Sequence, residues 1–159
     1  LSDGGKLIAL ERANSLFADR KGFGLKSKPD KDEPNKLAKY GNQEREGISS
    51  QIPGAIYKIN VDATHPLGYG YENGYYAILK SSNIYEYLEN GWNVGTIAKD
   101  SYVTGFAGSK AKEKVKESLL FGVEPIGKGN IVYMVDNPIF RGFWYGGKQL
   151  FANAVFMVK

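Results

Sequence analysis

Gly129-Asn130-Ile131-Val132-Tyr133-Met134-Val135-Asp136-Asn137-Pro138 is the stretch on which the fold turns. Five apolar residues in a row, Ile131 to Val135, lack the in-out alternation of a strand with a wet face. Such a run suits a central strand covered on both sides. Asp136-Asn137-Pro138 stops it, because proline lacks an amide hydrogen and these residues favour turns. Beyond the turn, Gly147 to Phe156 predicts a closing helix. A buried strand, a turn and a helix in that order are the unit of an α/β architecture.

Working back from this unit, Ser109 to Leu120 predicts an amphipathic helix. Ala111, Val115, Ser118 and Leu119 share one face, lysines and glutamates cover the rest, and Ser109 is placed as the N-cap. Gly127-Lys128-Gly129-Asn130 precedes a strand rather than joining a strand to a helix, so it is a turn and not a phosphate-binding loop. Ala55–Val61, Tyr75–Leu79 and Trp92–Ile97 read as further strands, set off by the Asn73-Gly74 and Asn90-Gly91 turn signals. In the first of them Ile56, Lys58 and Asn60 face one way, and Tyr57, Ile59 and Val61 the other. These strands supply an antiparallel portion.

Lys6 to Leu10 is a short buried strand, and Arg12 to Phe23 a short helix through Ala13, Leu16 and Phe17. Leu1-Ser2-Asp3-Gly4-Gly5 resembles the left-handed end of a helix whose body lies further upstream. The expectation is one domain over 1–159 that is an N-terminally truncated piece of a longer protein. From Gly24 to Gly47 mixed charge replaces apolar periodicity, which predicts a solvated or partly disordered excursion.

The composition fits a single core. The chain has 159 residues, 42% of them apolar and 24% charged, with a mean hydropathy of -0.37. Lys and Arg number 21 against 17 Asp and Glu. The signs are interspersed, which argues against a nucleic-acid binder with a clustered basic face. The longest apolar stretches, such as Ala152 to Val158, fall short of the roughly 20 residues of a membrane helix. With no cysteine there is no disulfide, thiolate nucleophile or cysteine metal site.

Candidate chemistry is sparse. Zinc hydrolysis needs several converging ligands, and a nucleophile triad needs a histidine and a presented serine. His65 is the one histidine; in the Thr64–Gly68 turn a structural or capping role is expected of it. Asp30, Asp32 and Glu33 lie in the charged excursion, where burial would not raise a pKa. No catalytic or metal residue is assigned. Tyr69 with Tyr71, and Tyr85 with Tyr87, are spaced by two and would share a face if extended. They could stack on sugars or peptide side chains, although core packing ranks ahead. The densest cluster runs from Asp136 to Gly147 at the end of the best strand, where open α/β sheets bind ligands. Asn137, Arg141 and Trp144 are its ligand candidates, beside Tyr69 and Tyr71. The plainer alternative, which ranks ahead, pairs Arg141 with Asp136 and uses the aromatics to plug the sheet end.

Gly5–Leu10, Thr64-His65-Pro66-Leu67-Gly68-Tyr69-Gly70, Gly129–Met134 and Asn137-Pro138-Ile139-Phe140-Arg141-Gly142-Phe143-Trp144, closing on Leu150–Ala154, resemble the C-terminal region of large zinc carboxypeptidase-like proteins. There an A-type metallocarboxypeptidase domain precedes a domain similar to class I glutamine amidotransferases. The resemblance implies a partial amidotransferase-like, flavodoxin-like sheet and a secreted or periplasmic bacterial peptidase as the parent. It implies zinc for the peptidase domain only. Neither the metal motif nor the cysteine nucleophile of those domains has a counterpart here. The resemblance therefore implies a non-catalytic accessory domain that packs on or orients the peptidase domain of its own polypeptide. The alternative is a peptide- or glycan-binding module using Arg141 and exposed aromatics. Missing opening strands would leave an unprotected sheet edge, through which the chain would dimerise or exchange strands.

Overall fold

In this computed structural model, which describes residues 1–30 and 39–159, alternation and continuous burial separate two kinds of strand. The chain runs β1 (Lys6–Leu10), α1 (Gln43–Ser49), β2 (Gly54–Val61), β3 (Tyr75–Leu79), β4 (Trp92–Ile97), β5 (Tyr102–Phe106), α2 (Ser109–Val115), β6 (Ser118–Ile126), β7 (Gly129–Met134) and α3 (Tyr145–Phe156). β2 and β3 alternate. Ala55, Tyr57, Ile59, Tyr75, Ala77 and Leu79 are buried, while Lys58, Asn60 and Tyr76 face water. β6 and β7 are buried almost throughout because both their faces are covered.

The strands form one mixed sheet of seven in the order β1-β7-β6-β4-β2-β3, with β5 also on β2. β1 and β7 are parallel, Lys6 opposite Asn130 through Leu10 opposite Met134. Every other pairing is antiparallel. β4 and β5 lie end to end along the same side of β2, broken by the Ala98–Ser101 insertion. Gly127, at φ 61°, turns β6 into β7, so the Gly127–Asn130 segment is a hairpin turn.

One face of the sheet carries the larger core, closed by Ala111 and Val115 of α2 and by Leu150 and Ala154 of α3. The other face packs Ala9, Leu119, Ile131 and Tyr133 beneath Leu25, Tyr85 and Leu88. Tyr71 ties α3 down unusually: its hydroxyl donates to the Gly146 carbonyl (2.6 Å) and accepts from the Leu150 amide (2.8 Å). That places a side chain within the helix's own hydrogen-bond ladder. Asn153 holds the same helix to the Leu67 and Tyr69 carbonyls.

Several expectations need correction. The helix predicted for Arg12–Phe23 is a 3-10 segment, Glu11–Leu16, followed by turns. Its Asn14 is buried and spends its amide on the Glu11 and Met134 carbonyls, a side-chain competition that disfavours a continuous helix. The helix predicted to Leu120 ends at Val115, and Gly108, not Ser109, is its N-cap. Glu117 turns left-handed at φ 53°, and Ser118–Ile126 becomes a sheet strand. The closing helix begins at Tyr145. The Gly24–Gly47 excursion is only partly solvated: Leu25 is fully buried and Gln43–Ser49 is helical, while residues 31–38, with Asp32 and Glu33, lie outside the described residues. Asp30 pairs with Lys114 at 2.7 Å. Among the described residues, parallel pairing is confined to β1 and β7. β1 borders the sheet, so its outer side is an open edge among the described residues.

Candidate functional site at the carboxyl ends of the parallel strands

Parallel strands end at the same side of a sheet, so β1 and β7 release Glu11 and Asp136 next to one another. Asn14 fastens the two ends, its Nδ2 donating to Glu11 O (2.8 Å) and to Met134 O (2.9 Å). A cavity of about 260 Å³ opens there. Apolar Ile84, Ile97, Val115 and Leu120 line its depth, Glu11, Arg12, Lys80 and Asn83 supply polar groups, and Asp136 borders it with both carboxyl oxygens closed off from solvent. Arg12, Lys80 and Asn83 are exposed, so the mouth lies on their side.

Asp136 is 5% exposed, and neither carboxyl oxygen has a hydrogen-bond partner. Burial pushes its pKa up to about 8, the Glu11 charge adds to the rise, and Lys80 and Tyr75 oppose it. Its environment thus favours the uncharged acid over the carboxylate. The buried Tyr75 hydroxyl stands beside it, and burial followed by the Asp136 charge raises its own pKa. Lys80 is turned elsewhere. Its Nζ meets Glu11 Oε1 at 2.8 Å and lies 4.0 Å from the Phe140 ring centroid. Glu11 holds φ 47°, a left-handed conformation that costs a non-glycine residue about 1–2 kcal/mol.

The sequence candidates scatter. Arg141 does not reach Asp136; it sits at φ 50° in the exposed Phe140–Gly142 turn, 5.1 Å from the Phe140 ring. The predicted Arg141–Asp136 pair is therefore absent. Asn137 Oδ1 accepts from the Ile139 amide, an ordinary turn contact. Trp144 is half-buried and donates to the Tyr76 carbonyl at 2.9 Å. With Tyr76, Phe143 and Tyr145 it lines a shallow groove of about 340 Å³. Tyr69 is exposed and Tyr71 is the buried tether of α3, so this pair does not present one face; Tyr85 and Tyr87 likewise divide into buried and exposed. A turn carries Tyr69, and Tyr85 makes isolated antiparallel bridges to Ser27 and Leu119 that do not extend into a strand through Tyr87. His65 caps the Pro66–Gly68 turn, its Nδ1 accepting from the Leu67 amide (3.1 Å), and burial lowers its pKa while Asp62 opposes.

Glu11, Lys80 and Tyr75 were not singled out by the sequence. Only Asp136 had a visible signal, as the acid that closes a five-residue apolar run. Among the described residues no group of three or more His, Cys, Asp or Glu could hold a metal ion, and no helix is long and apolar enough to cross a membrane. Comparison with protein-family models, curated proteins and solved structures gives no match.

Proposed function

We propose that this chain is a non-catalytic accessory module that packs on and orients the peptidase domain of a secreted or periplasmic zinc carboxypeptidase-like protein, its sheet part of an amidotransferase-like fold. The zinc of such a protein belongs to the peptidase domain. One observation carries the reading: β1, a parallel strand with a half-buried Ile8 and Leu10, borders the sheet with no strand paired to its outer side among the described residues. The Gly5 carbonyl accepts from Asn130, so the next residues in alternation, Lys6, Ile8 and Leu10, turn their peptide groups outward. Parallel strands are ordinarily covered, and an uncovered one is a template for a further strand.

Hydrogen exchange tests this. In the full polypeptide encoded by the gene, the Lys6, Ile8 and Leu10 amides should exchange about a hundredfold more slowly than in this chain alone. That polypeptide should also release C-terminal residues from peptides with zinc dependence. Equal exchange in both, or a full polypeptide without a peptidase domain, would sink the reading. Protection that instead grows with the concentration of this chain alone would assign the edge to a second copy.

A second reading, a glycan- or peptide-binding module, is favoured by the groove at Trp144. Phe143 and Tyr145 there are 54% and 76% exposed, available to stack on a ring. Titration with neutral β-linked hexaoses and with aromatic peptides should then shift tryptophan fluorescence, and Tyr145→Ala should weaken binding about fivefold. No response to any of them at millimolar concentration removes this reading.

A further inference from the structure

Two turns of the same build seat α3. At Asn137-Pro138-Ile139 the Asn137 Oδ1 accepts from the Ile139 amide at 3.1 Å, and at His65-Pro66-Leu67 the His65 Nδ1 accepts from the Leu67 amide, also at 3.1 Å. The two acceptor atoms hold the same place on their side chains, each bonded to Cγ. The first turn lies against the start of the helix, where Gly147 meets the Pro138 carbonyl. The second lies against its end, where the Leu67 and Tyr69 carbonyls accept from Asn153 at 3.0 and 2.8 Å. Leu67 is fully buried and joins the two bonds, its amide given to His65 and its carbonyl taken by Asn153.

The turns differ in one chemical respect. An amide oxygen keeps its lone pairs at every working pH, whereas a neutral imidazole has one free ring nitrogen and loses it on protonation. Because Nδ1 accepts, the neutral His65 ring carries its proton on Nε2, and a second proton can go only to Nδ1. It must displace the Leu67 amide to do so. We propose that the His65–Tyr69 turn is an acid-sensitive latch on the C-terminal half of α3, opened when a proton takes the Nδ1 lone pair from the Leu67 amide, while the Asn137 turn holds the other half regardless of pH.

Burial of the ring resists this proton and Asp62 favours it. Around the half-buried ring the Trp92 indole lies 5.6 Å away, and Lys159 lines the same groove from beyond α3. The Thr64 hydroxyl and amide hold the Asp62 pKa below its ordinary 3.8, so Asp62 stays ionised while His65 titrates. The unfolded chain protonates His65 near pH 6.5 and the fold resists it. The seat is therefore complete above pH 6.5 and is lost as the pH falls through the lowered folded value. Lys6 of β1 also donates to the Val155 and Val158 carbonyls, which limits the change to a loosening of the helix end.

Heteronuclear NMR of this chain between pH 7 and 4.5 is the test. At pH 7 the His65 ring should show its proton on Nε2. Protection of the Asn153–Phe156 amides, corrected for the intrinsic pH dependence of exchange, should fall about fivefold along the curve on which the ring titrates, the effect of losing one N-cap bond. His65→Asn keeps an acceptor in place without the titration, so its protection should hold within about twofold across the range. A proton on Nδ1 at pH 7, a ring that titrates while the α3 amides do not respond, a ring still neutral at pH 4.5, or a fall retained in full by His65→Asn would each overturn the proposal. The latch does not rest on docking at β1, and none of these outcomes bears on it.

Discussion

Asp136 makes the folded chain hold a proton that the unfolded chain gives up near the ordinary aspartate pKa. Its pKa is raised from 3.8 to about 8 by burial. The stability this group contributes is therefore complete below about pH 4 and falls as the pH climbs toward 8. Replacing it with asparagine keeps the shape and removes the charge. Asp136→Asn should raise the melting temperature at pH 8 by about 5 °C and leave it within about 1 °C at pH 4, in thermal scans at the two pH values. A variant whose melting temperature follows pH as the parent does would show that Asp136 is already ionised in the fold. The acid is legible in the sequence as the end of Ile131–Val135. Its isolation is not, since the charged and polar side chains that act on it, Glu11, Tyr75 and Lys80, come from segments more than fifty residues away.

Elements were legible where local pattern and tertiary environment agree. Ala55–Val61, Tyr75–Leu79 and Trp92–Ile97 alternate or are bounded by Gly turns, and each is a strand. Ser118–Ile126 was hidden because Leu119 continues the helical face of Ala111 and Val115. Only the pairing with β4 and β7 makes it a strand. Tyr102–Phe106 was hidden for the opposite reason: all five residues are exposed, so no burial pattern marks them, and the backbone of β2 holds them in place. The turn between β7 and α3 shows how tightly one element can depend on another. A Cβ on Gly147 would stand 1.8 Å from the Pro138 carbonyl oxygen, so α3 packs on that turn only because the residue has no side chain. Gly147→Ala should push α3 away and destabilise the chain by about 2–3 kcal/mol, lowering the melting temperature by about 4–12 °C. Denaturant unfolding with an unchanged midpoint would show that the turn, rather than the helix, gives way without cost.

At the scale of the whole molecule, the α/β class could be read from interleaved strand and helix patterns, and the antiparallel middle from its Asn-Gly turns. The proportions could not. Strand direction is set by connections and partners, and the one parallel pair joins segments at opposite ends of the chain. The candidate site was half legible for the same reason. Asp136 lies on a readable strand end, while Glu11 reaches it only through that distant pairing.

The same pairing governs the order of events when the chain folds. β2 to β7 can assemble through antiparallel contacts between neighbours and near neighbours, but β1 must wait for a strand more than a hundred residues away. Closing so long a loop spends chain entropy before any contact rewards it, which makes such pairings slow. During synthesis at roughly 5–20 residues per second, β1 is finished several seconds before β7 exists. Of the seven strands it is made earliest and placed last, and through that interval both of its sides, not one, are open to capture by another segment.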